Sequence, residues 1–364
     1  MFSENESIRY SRHFTLPNVG KVGQIALKNS RVLCVGAGGL GAPTLLYLAA
    51  AGIGTLGIVD DDIVELSNLQ RQVLYSEEDI GKNKAECARK KLNQLNANIH
   101  VIPYAVRLKK NNVLKIMENY DVIVDGTDNL ITRYIIGDAS FYLNKPMVYA
   151  SIFRFEGQCS VFLKDCGPCY RCLFPSVPKN YIPNCAEMGV LGILPGLLGC
   201  IQANEVIKFI LKIGSSLIGK LLTVDLLSLN FQTFNIHKNK HCILCAHQQE
   251  FAEIAYEDAV FCPVENIQEL TIADIYLAQE KKEPLILLDI RERSEHEAFN
   301  IGGDCVPLEE LKHSLNKLDP NKKTIIYCNI GESSKVAAAM LKHAGFVEVY
   351  SLKSGVLGLE STAQ

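Results

Sequence analysis

Two sets of residues in this 364-residue chain are spaced for chemistry: cysteines in pairs or at loop entries, and a glycine-rich turn followed by ordered charges. Cys169-x-x-Cys172 and Cys242-x-x-Cys245 are two knuckles of the spacing that brings four thiolates around a tetrahedral ion, structural Zn²⁺. A redox pair is the rival for one such motif, but two of them in one unit favour a metal. Cys185 stands in Asn184-Cys185-Ala186-Glu187-Met188-Gly189-Val190, a loop entering a helix, where the helix terminus favours a nucleophilic thiolate. An active and an inert thiol are equally open there. Cys328 ends the apolar run Thr324–Tyr327 and begins a loop leading into a helix. Loop N–H groups and the helix dipole would there hold a thiolate or persulfide anion. Cys34, Cys87, Cys159 and Cys200 lie in apolar or helical settings and read as small core residues, with Cys166 a bystander.

The glycine turn is Gly36-Ala37-Gly38-Gly39-Leu40-Gly41, after an apolar run and before a small-residue helix, Ala42–Ala51. This arrangement presents backbone N–H groups at a helix N-terminus, where phosphate is favoured. Alone it fits a nicotinamide-dependent oxidoreductase as well as an ATP enzyme, and Asp60 suits a ribose hydroxyl in both. The polar set that follows tips the balance toward ATP: Ser67, Asn68, Arg71, Lys84, Asp128 and Asn129, with a solvated helix face the alternative for Arg71 and Lys84. Hydride transfer needs a nicotinamide pocket and few cations. Nucleotidyl transfer needs Arg71 and Lys84 to neutralise an α-phosphate and Asp128 to hold Mg²⁺.

The elements that must position these groups alternate along the chain. Strands are expected at Arg31–Val35, Thr55–Val59, Ile99–Pro103 and Asp121–Asp125, with a helix over Lys82–Leu95. That order predicts an α/β fold with a parallel sheet covered by helices on both faces. The glycine turn, Asp60 and Asp128 then converge beyond the C-terminal strand ends. A helical run at Ile193–Ile213 and strands near Leu221–Asp225 and Phe231–Ile236 complete the first unit, expected over residues 1–250. Residues 251–265 read as a linker. A second, smaller α/β alternation occupies residues 266–364, with strands at Leu285–Asp289, Thr324–Tyr327 and Val347–Tyr350 and a helix over Ser333–His343.

Composition limits the alternatives. A net charge of −3, with no block of Lys or Arg, gives no electrostatic case for nucleic acid. The apolar stretch Val190–Leu198 is broken by Gly192, Pro195 and Gly196 and does not read as a membrane span. The N-terminus lacks a secretory segment, and many cysteines without a disulfide pattern suit a reducing compartment, so a cytoplasmic protein is expected.

Taken in order, Gly36–Gly41, Asp60, Ser67-Asn68-Leu69-Gln70-Arg71-Gln72, Lys84 and Asp128-Asn129 resemble the MoeB/ThiF family, relatives of the ubiquitin-activating enzymes. Arg9-Tyr10-Ser11-Arg12 is similar to that family's arginine motif, and Phe155-Glu156-Gly157-Gln158 and Pro168-Cys169-Tyr170-Arg171-Cys172 extend the likeness to residues 7–248. The resemblance implies a Rossmann-like ATP-binding fold in which Gly39, Asp60, Asn68, Arg71, Lys84 and Asp128 contact ATP or its Mg²⁺. It implies a homodimer in which Arg12 reaches the phosphates of the partner subunit. The C-terminal part carries Leu287-Leu288-Asp289-Ile290-Arg291-Glu292-Arg293 and Cys328-Asn329-Ile330-Gly331-Glu332-Ser333-Ser334, and resembles a rhodanese domain with Cys328 as persulfide carrier.

Together the two resemblances, similar to MOCS/Uba-type proteins, imply an enzyme that is both adenylyltransferase and sulfurtransferase. ATP would adenylate the C-terminal Gly-Gly carboxylate of a ubiquitin-like sulfur carrier. The acyl-adenylate would then be sulfurated to a thiocarboxylate through Cys328, with Cys185 as thioester or resolving thiol. A carboxylate is already ionised at neutral pH, so no general base is required, and positioning and charge neutralisation carry the catalysis. The rhodanese loop departs from its pattern, with Asn329, Glu332 and Ser333 where an Arg is usual. Thiosulfate is therefore expected to be a poor donor and a cysteine desulfurase the better one. The alternative is an activator for protein conjugation that uses the rhodanese domain for docking. The pathway served (molybdopterin, thiamin, tRNA thiolation or cysteine) stays open.

Overall fold

A computed structural model of the chain describes residues 2–176, 189–247, 249–254, 256, 267–281 and 284–360. They form two compact units, one of residues up to 256 and one of residues from 267 onward. Cys185 lies outside the described residues.

The first unit is built on an eight-stranded sheet: β1 (Arg31–Val35), β2 (Thr55–Val59), β3 (His100–Tyr104), β4 (Val122–Asp125), β5 (Met147–Phe153), β6 (Glu156–Phe162), β7 (Lys220–Asp225) and β8 (Asn230–Asn235). The order is β3-β2-β1-β4-β5-β6-β7-β8. From β3 to β5 every pairing is parallel, and β6, β7 and β8 add on antiparallel. The central strands are apolar on both faces because helices cover both, and Val32, Leu33, Leu56, Ile58 and Ile123 are wholly buried. The strands expected to form a parallel sheet do so, and the three added strands extend it antiparallel. Only two residues, Arg154 and Phe155, separate β5 from β6, and so short a connection can only fold back antiparallel. Arg154 adopts the left-handed backbone that such a turn requires, with φ +51°.

The nineteen-residue helix Ile193–Leu211 is apolar and long enough to cross a membrane by length and composition. Its place explains its composition. It packs along the helix Gly41–Ala51 and across β5 and β6, where Leu194 and Leu198 meet Ala150, Cys159 and Val224. A Cβ on Gly199 would lie 2.5 Å from the Leu40 carbonyl oxygen, so glycine permits this close helix crossing.

Residues 251–254 and Tyr256, from the stretch expected as linker, pack on the first unit. Phe251 is buried in the cluster around Tyr134 and Met147, and Lys110 Nζ donates to the carbonyls of Ala252 and Ile254. Tyr256 donates to Asp138 Oδ2 at 2.9 Å. Phe251 and Tyr256 hold this segment down, although the charged residues around them dominate its composition.

The second unit is a five-stranded parallel sheet of β9 (Gln268–Leu270), β10 (Leu285–Asp289), β11 (Asp304–Cys305), β12 (Lys323–Tyr327) and β13 (Val349–Leu352), in the order β11-β10-β12-β13-β9. Its core joins Leu288, Ile326, Ala337, Ala338 and Leu341 on one side and Ile275, Leu287, Ile325 and Leu352 on the other.

Candidate active site

The glycine turn is held by backbone contacts that leave no room for side chains. Gly36 has φ +90°, and a Cβ there would sit 2.6 Å from the carbonyl oxygen of Gly126. At Gly41 a Cβ would lie 2.0 Å from the Gly36 oxygen. The turn from β1 into the helix Gly41–Ala51 therefore lies directly on the turn that leaves β4 and carries Asp128. Asp60, at the end of β2, accepts a 2.7 Å hydrogen bond from the Ala37 N–H and a 2.9 Å bond from the Asp62 N–H. Burial is the dominant influence and raises its carboxyl; the Ala37 N–H and the charge of Lys84 pull it back.

Lys84 begins the helix Lys84–Leu95, is itself buried, and pairs with Asp62 at 3.0 Å. Tyr75 ties this lysine to the glycine turn, donating to the carbonyls of Ala37 at 2.8 Å and Lys84 at 3.3 Å. Arg71 is half-buried; its Cγ stands 3.6 Å from where a Gly39 Cβ would be, and its guanidinium donates to the Ser67 carbonyl at 3.1 Å. Asn68 is buried in the short turn Leu66–Asn68, and Ser67 is exposed beside it. Gln72 is buried next to Gly38, and its Oε1 has no hydrogen-bond partner. A buried acceptor without a donor beside the glycine turn fits a site completed by a ligand that donates a hydrogen bond.

Asp128 is exposed on the loop after β4, and Asn129 caps the helix Leu130–Tyr142, accepting from Thr132 N–H at 2.9 Å. Beneath the loop lies a pair that the sequence reading missed. Arg133 donates through Nε to Asp125 Oδ2 at 3.0 Å, through Nη1 to Ser151 Oγ at 3.0 Å, and through Nη2 to the carbonyls of Thr127 and Ala150 at 2.7 and 3.3 Å. Burial pushes the Asp125 carboxyl up to about 6 against the pull of Arg133 and the Thr127 N–H. Gln202 joins from the helix Ile193–Leu211, donating to the carbonyls of Asp125 and Val148.

The glycine turn, Asp60 and the loop of Asp128 follow the C-terminal ends of β1, β2 and β4, and Arg71 and Lys84 stand beside Gly39 and Asp62. Arg12 stands exposed on the short helix Ser11–Phe14, and among the described residues no hydrogen bond or ion pair joins it to this group. Its neighbour Tyr10 is buried against Gly52 and accepts from Asn96 Nδ2 at 2.8 Å, which docks the arginine motif on the unit.

Cys169, Cys172, Cys242 and Cys245 come together with Sγ separations of 3.7, 3.5 and 3.6 Å for the pairs 169–172, 169–242 and 172–245. They form a four-cysteine cluster able to hold a metal ion. Tetrahedral thiolates about 2.3 Å from zinc stand about 3.8 Å apart, so the donor set fits that ion. Arg171, between the first two cysteines, forms a two-point pair with buried Asp138 at 2.7 and 2.8 Å and fixes the first knuckle.

In the second unit Cys328 is buried at the end of β12, and its Sγ receives the Gly331 N–H at 3.2 Å and the Ser334 N–H at 3.3 Å. Gly331 has φ +92°, which aims its N–H at the sulfur and opens the helix Glu332–His343. Asn329, next to the cysteine, donates to Glu295 at 2.7 Å and lies 3.5 Å from Arg291 Nη1. Arg291 grips Asp289 at 3.0 and 2.7 Å, and His296 Nδ1 lies 2.8 Å from the same carboxylate. Burial works against Asp289 most strongly, yet bonding from Arg291 and His296 leaves its carboxyl below the usual range. The Glu332 side chain lies outside what is described.

The Asp125–Arg133 pair yields a direct expectation. Arg133→Met should destabilise the first unit by roughly 3–5 kcal/mol in urea denaturation, because it strands a buried carboxylate. Adding Asp125→Leu should recover part of that loss. A single variant as stable as the parent would remove the pair from the framework of the site.

Comparison with known proteins agrees with this geometry. The ThiF family matches residues 10–244 and the rhodanese-like domain matches residues 271–362. A probable adenylyltransferase/sulfurtransferase MoeZ of Mycobacterium tuberculosis is 41% identical over 367 residues, covering 98% of this chain and 93% of its own. A sulfur carrier protein adenylyltransferase of Thermus thermophilus is 45% identical over 267 residues, covering 72% of this chain and 98% of its own. Among solved structures, E. coli MccB crystallised with ATP aligns with a TM-score of 0.57 and 26% identity, over 65% of this chain and 74% of that one. The chain thus belongs to the ThiF family, matched over residues 10–244, and a rhodanese-like domain follows over residues 271–362.

Proposed function

We propose that this chain is an adenylyltransferase and sulfurtransferase that acts on a small ubiquitin-like sulfur carrier ending in Gly-Gly. One observation carries the reading: a single chain holds a glycine turn between strand and helix with Arg71 and Lys84 near it and, separately, a sulfur held by two backbone N–H groups at Cys328. The carrier carboxylate attacks the α-phosphorus of ATP, the P–O bond to pyrophosphate breaks, and an acyl-adenylate forms. Arg71 and Lys84 offset the charge that gathers as two anions meet. Asp128, an exposed carboxylate of the hard type that suits Mg²⁺, would hold that ion, which screens the phosphates when bound. We assign the carrier tail to a cavity beside this site. A cavity of about 470 Å³ on the β5–β8 face, lined by Ser151, Phe153, Glu156, Gln158 and Phe234, begins at the serine that Arg133 holds.

In the second reaction the Cys328 persulfide anion attacks the acyl carbon and AMP leaves, giving a carrier–CO–S–S–Cys328 acyl disulfide. A thiolate then attacks the Cys328 sulfur, the S–S bond breaks toward the carrier, and a thiocarboxylate departs. The new disulfide on Cys328 is reduced by cellular thiols. Cys185 is our candidate for the attacking thiol, and a cysteine desulfurase for the source of persulfide. Arg12 is assigned to the phosphates of the partner in a homodimer, and the enzyme to the cytoplasm.

Asp128→Ala should abolish carrier-dependent ATP–pyrophosphate exchange while Cys328→Ala leaves it intact. Arg12→Ala should abolish it too, and mixing that protein with the Asp128→Ala protein should restore part, because one hybrid site is whole. Exchange that survives loss of Asp128 overturns the site, and no rescue after subunit exchange overturns the shared one. The four-cysteine cluster is assigned to structural zinc: elemental analysis should find about one ion per chain, and freely titratable thiols at all four positions would contradict it.

A further inference from the structure

We propose that Ser351 is a positioning residue for the sulfur chemistry at Cys328: it takes over the Gly331 carbonyl so that the Ser334 hydroxyl can turn to an anionic sulfur. The inference rests on Cys328 as the sulfur carrier and concerns how its charge is held.

Ser334 and Ser351 are both fully buried, one opening the helix after the loop and the other on β13 beneath it. Their hydroxyl oxygens lie 2.8 Å apart. Ser334 Oγ is 2.9 Å from the Gly331 carbonyl oxygen and 3.4 Å from Cys328 Sγ, and Ser351 Oγ is 3.4 Å from the same carbonyl. The backbone N–H of Lys335 gives that carbonyl one further bond, at 3.4 Å, so one of its two lone pairs is left to the serines.

The protons can be counted. With the neutral thiol, S–H donates to Ser334 Oγ, Ser334 O–H donates to the Gly331 carbonyl, and Ser351 O–H donates to Ser334 Oγ. When sulfur becomes an anion it offers no proton and accepts one. Ser334 O–H then rotates to sulfur, and Ser351 O–H rotates to the Gly331 carbonyl. Every buried polar atom keeps a partner in both states, with one proton fewer in the second. Without Ser351, turning Ser334 to the sulfur would leave the carbonyl with only the long Lys335 N–H bond, and a weakened set of donors at a buried acceptor is costly. The serine pair therefore adds a third, switchable donor to the two fixed N–H groups.

This arrangement predicts coupling, not two independent effects. The readout is the rate of iodoacetamide alkylation of Cys328 in the full-length protein at neutral pH, followed on the Cys328 peptide by mass spectrometry. Ser334→Ala should slow it about tenfold, the weight of one hydrogen bond to a charged group. Ser351→Ala should slow it about threefold, and the double variant should match Ser334→Ala alone. Ser351→Thr, which keeps the hydroxyl, should recover the parent rate. Because Cys328 is only 4% exposed, a variant that merely loosens the fold exposes the thiol and speeds alkylation, the opposite sign. An unchanged rate in Ser351→Ala, or single effects that multiply in the double variant, overturns the proposal. Incubation with a cysteine desulfurase and cysteine reads the underlying assignment separately. A sulfur adduct on Cys328 supports it, and absence of the adduct in the parent protein removes Cys328 as carrier whatever the alkylation cycle gives.

Discussion

A guanidinium taken almost wholly out of water must find an acceptor for each side of its fork, and at Arg133 four acceptors are drawn from three places. Asp125 ends β4, Thr127 belongs to the loop after it, and Ala150 and Ser151 lie on β5. Neither strand can slide and the loop cannot lift without breaking a charge-assisted bond in a low-dielectric setting. The Asp128 carboxylate, the neighbouring glycine turn and the mouth of the β5–β8 face inherit their positions from this group. Such a pair is weak evidence for stability, because desolvation offsets most of its attraction. What it supplies is a single arrangement of the strand ends, which is what charge neutralisation at a phosphate requires.

The second unit solves the same problem in the same way. Asp289 ends β10 with its carboxylate in the grip of Arg291, and the guanidinium reaches on to the Phe299 carbonyl and toward Asn329 beside Cys328. In both units a buried Arg–Asp pair at a strand end lies under the loop that carries the chemistry. Only the proposed cargo differs: an oxyanion at a helix N-terminus in one, a sulfur anion in the other. For sulfur the fixed donors are the N–H groups of Gly331 and Ser334, and the buried serines add one that can move.

Much of this was legible in the sequence, for reasons of spacing. A glycine turn between a strand and a helix, cysteines three apart, and a cysteine at the end of an apolar run each place their chemistry by local geometry alone. Arg133, Tyr75, Gln202 and Ser351 were not legible, because their partners are fixed only by the fold. Gln202 reaches Asp125 across 77 residues, and Ser351 lies 17 residues beyond the serine it touches. The hairpin of β5 and β6 escaped for another reason. Met147–Phe153 is buried at one end and open at the other, so it shows no clean alternation, and the turn that joins it to β6 is a left-handed Arg154 in place of the usual glycine. The helix Leu130–Tyr142 is buried on nearly every side and lacks the polar stripe that marks a helix at a surface.

The central claim is that one chain activates a carboxylate and then delivers sulfur to the same carbon. It is tested most directly by giving the protein ATP, a Gly-Gly carrier and cysteine labelled with heavy sulfur, with a cysteine desulfurase present, and weighing the carrier. The account predicts a carrier in which one oxygen is replaced by one heavy sulfur, formed only when both ATP and Cys328 are present. A labelled carrier made at the parent rate by Cys328→Ala, or made without ATP, would contradict it.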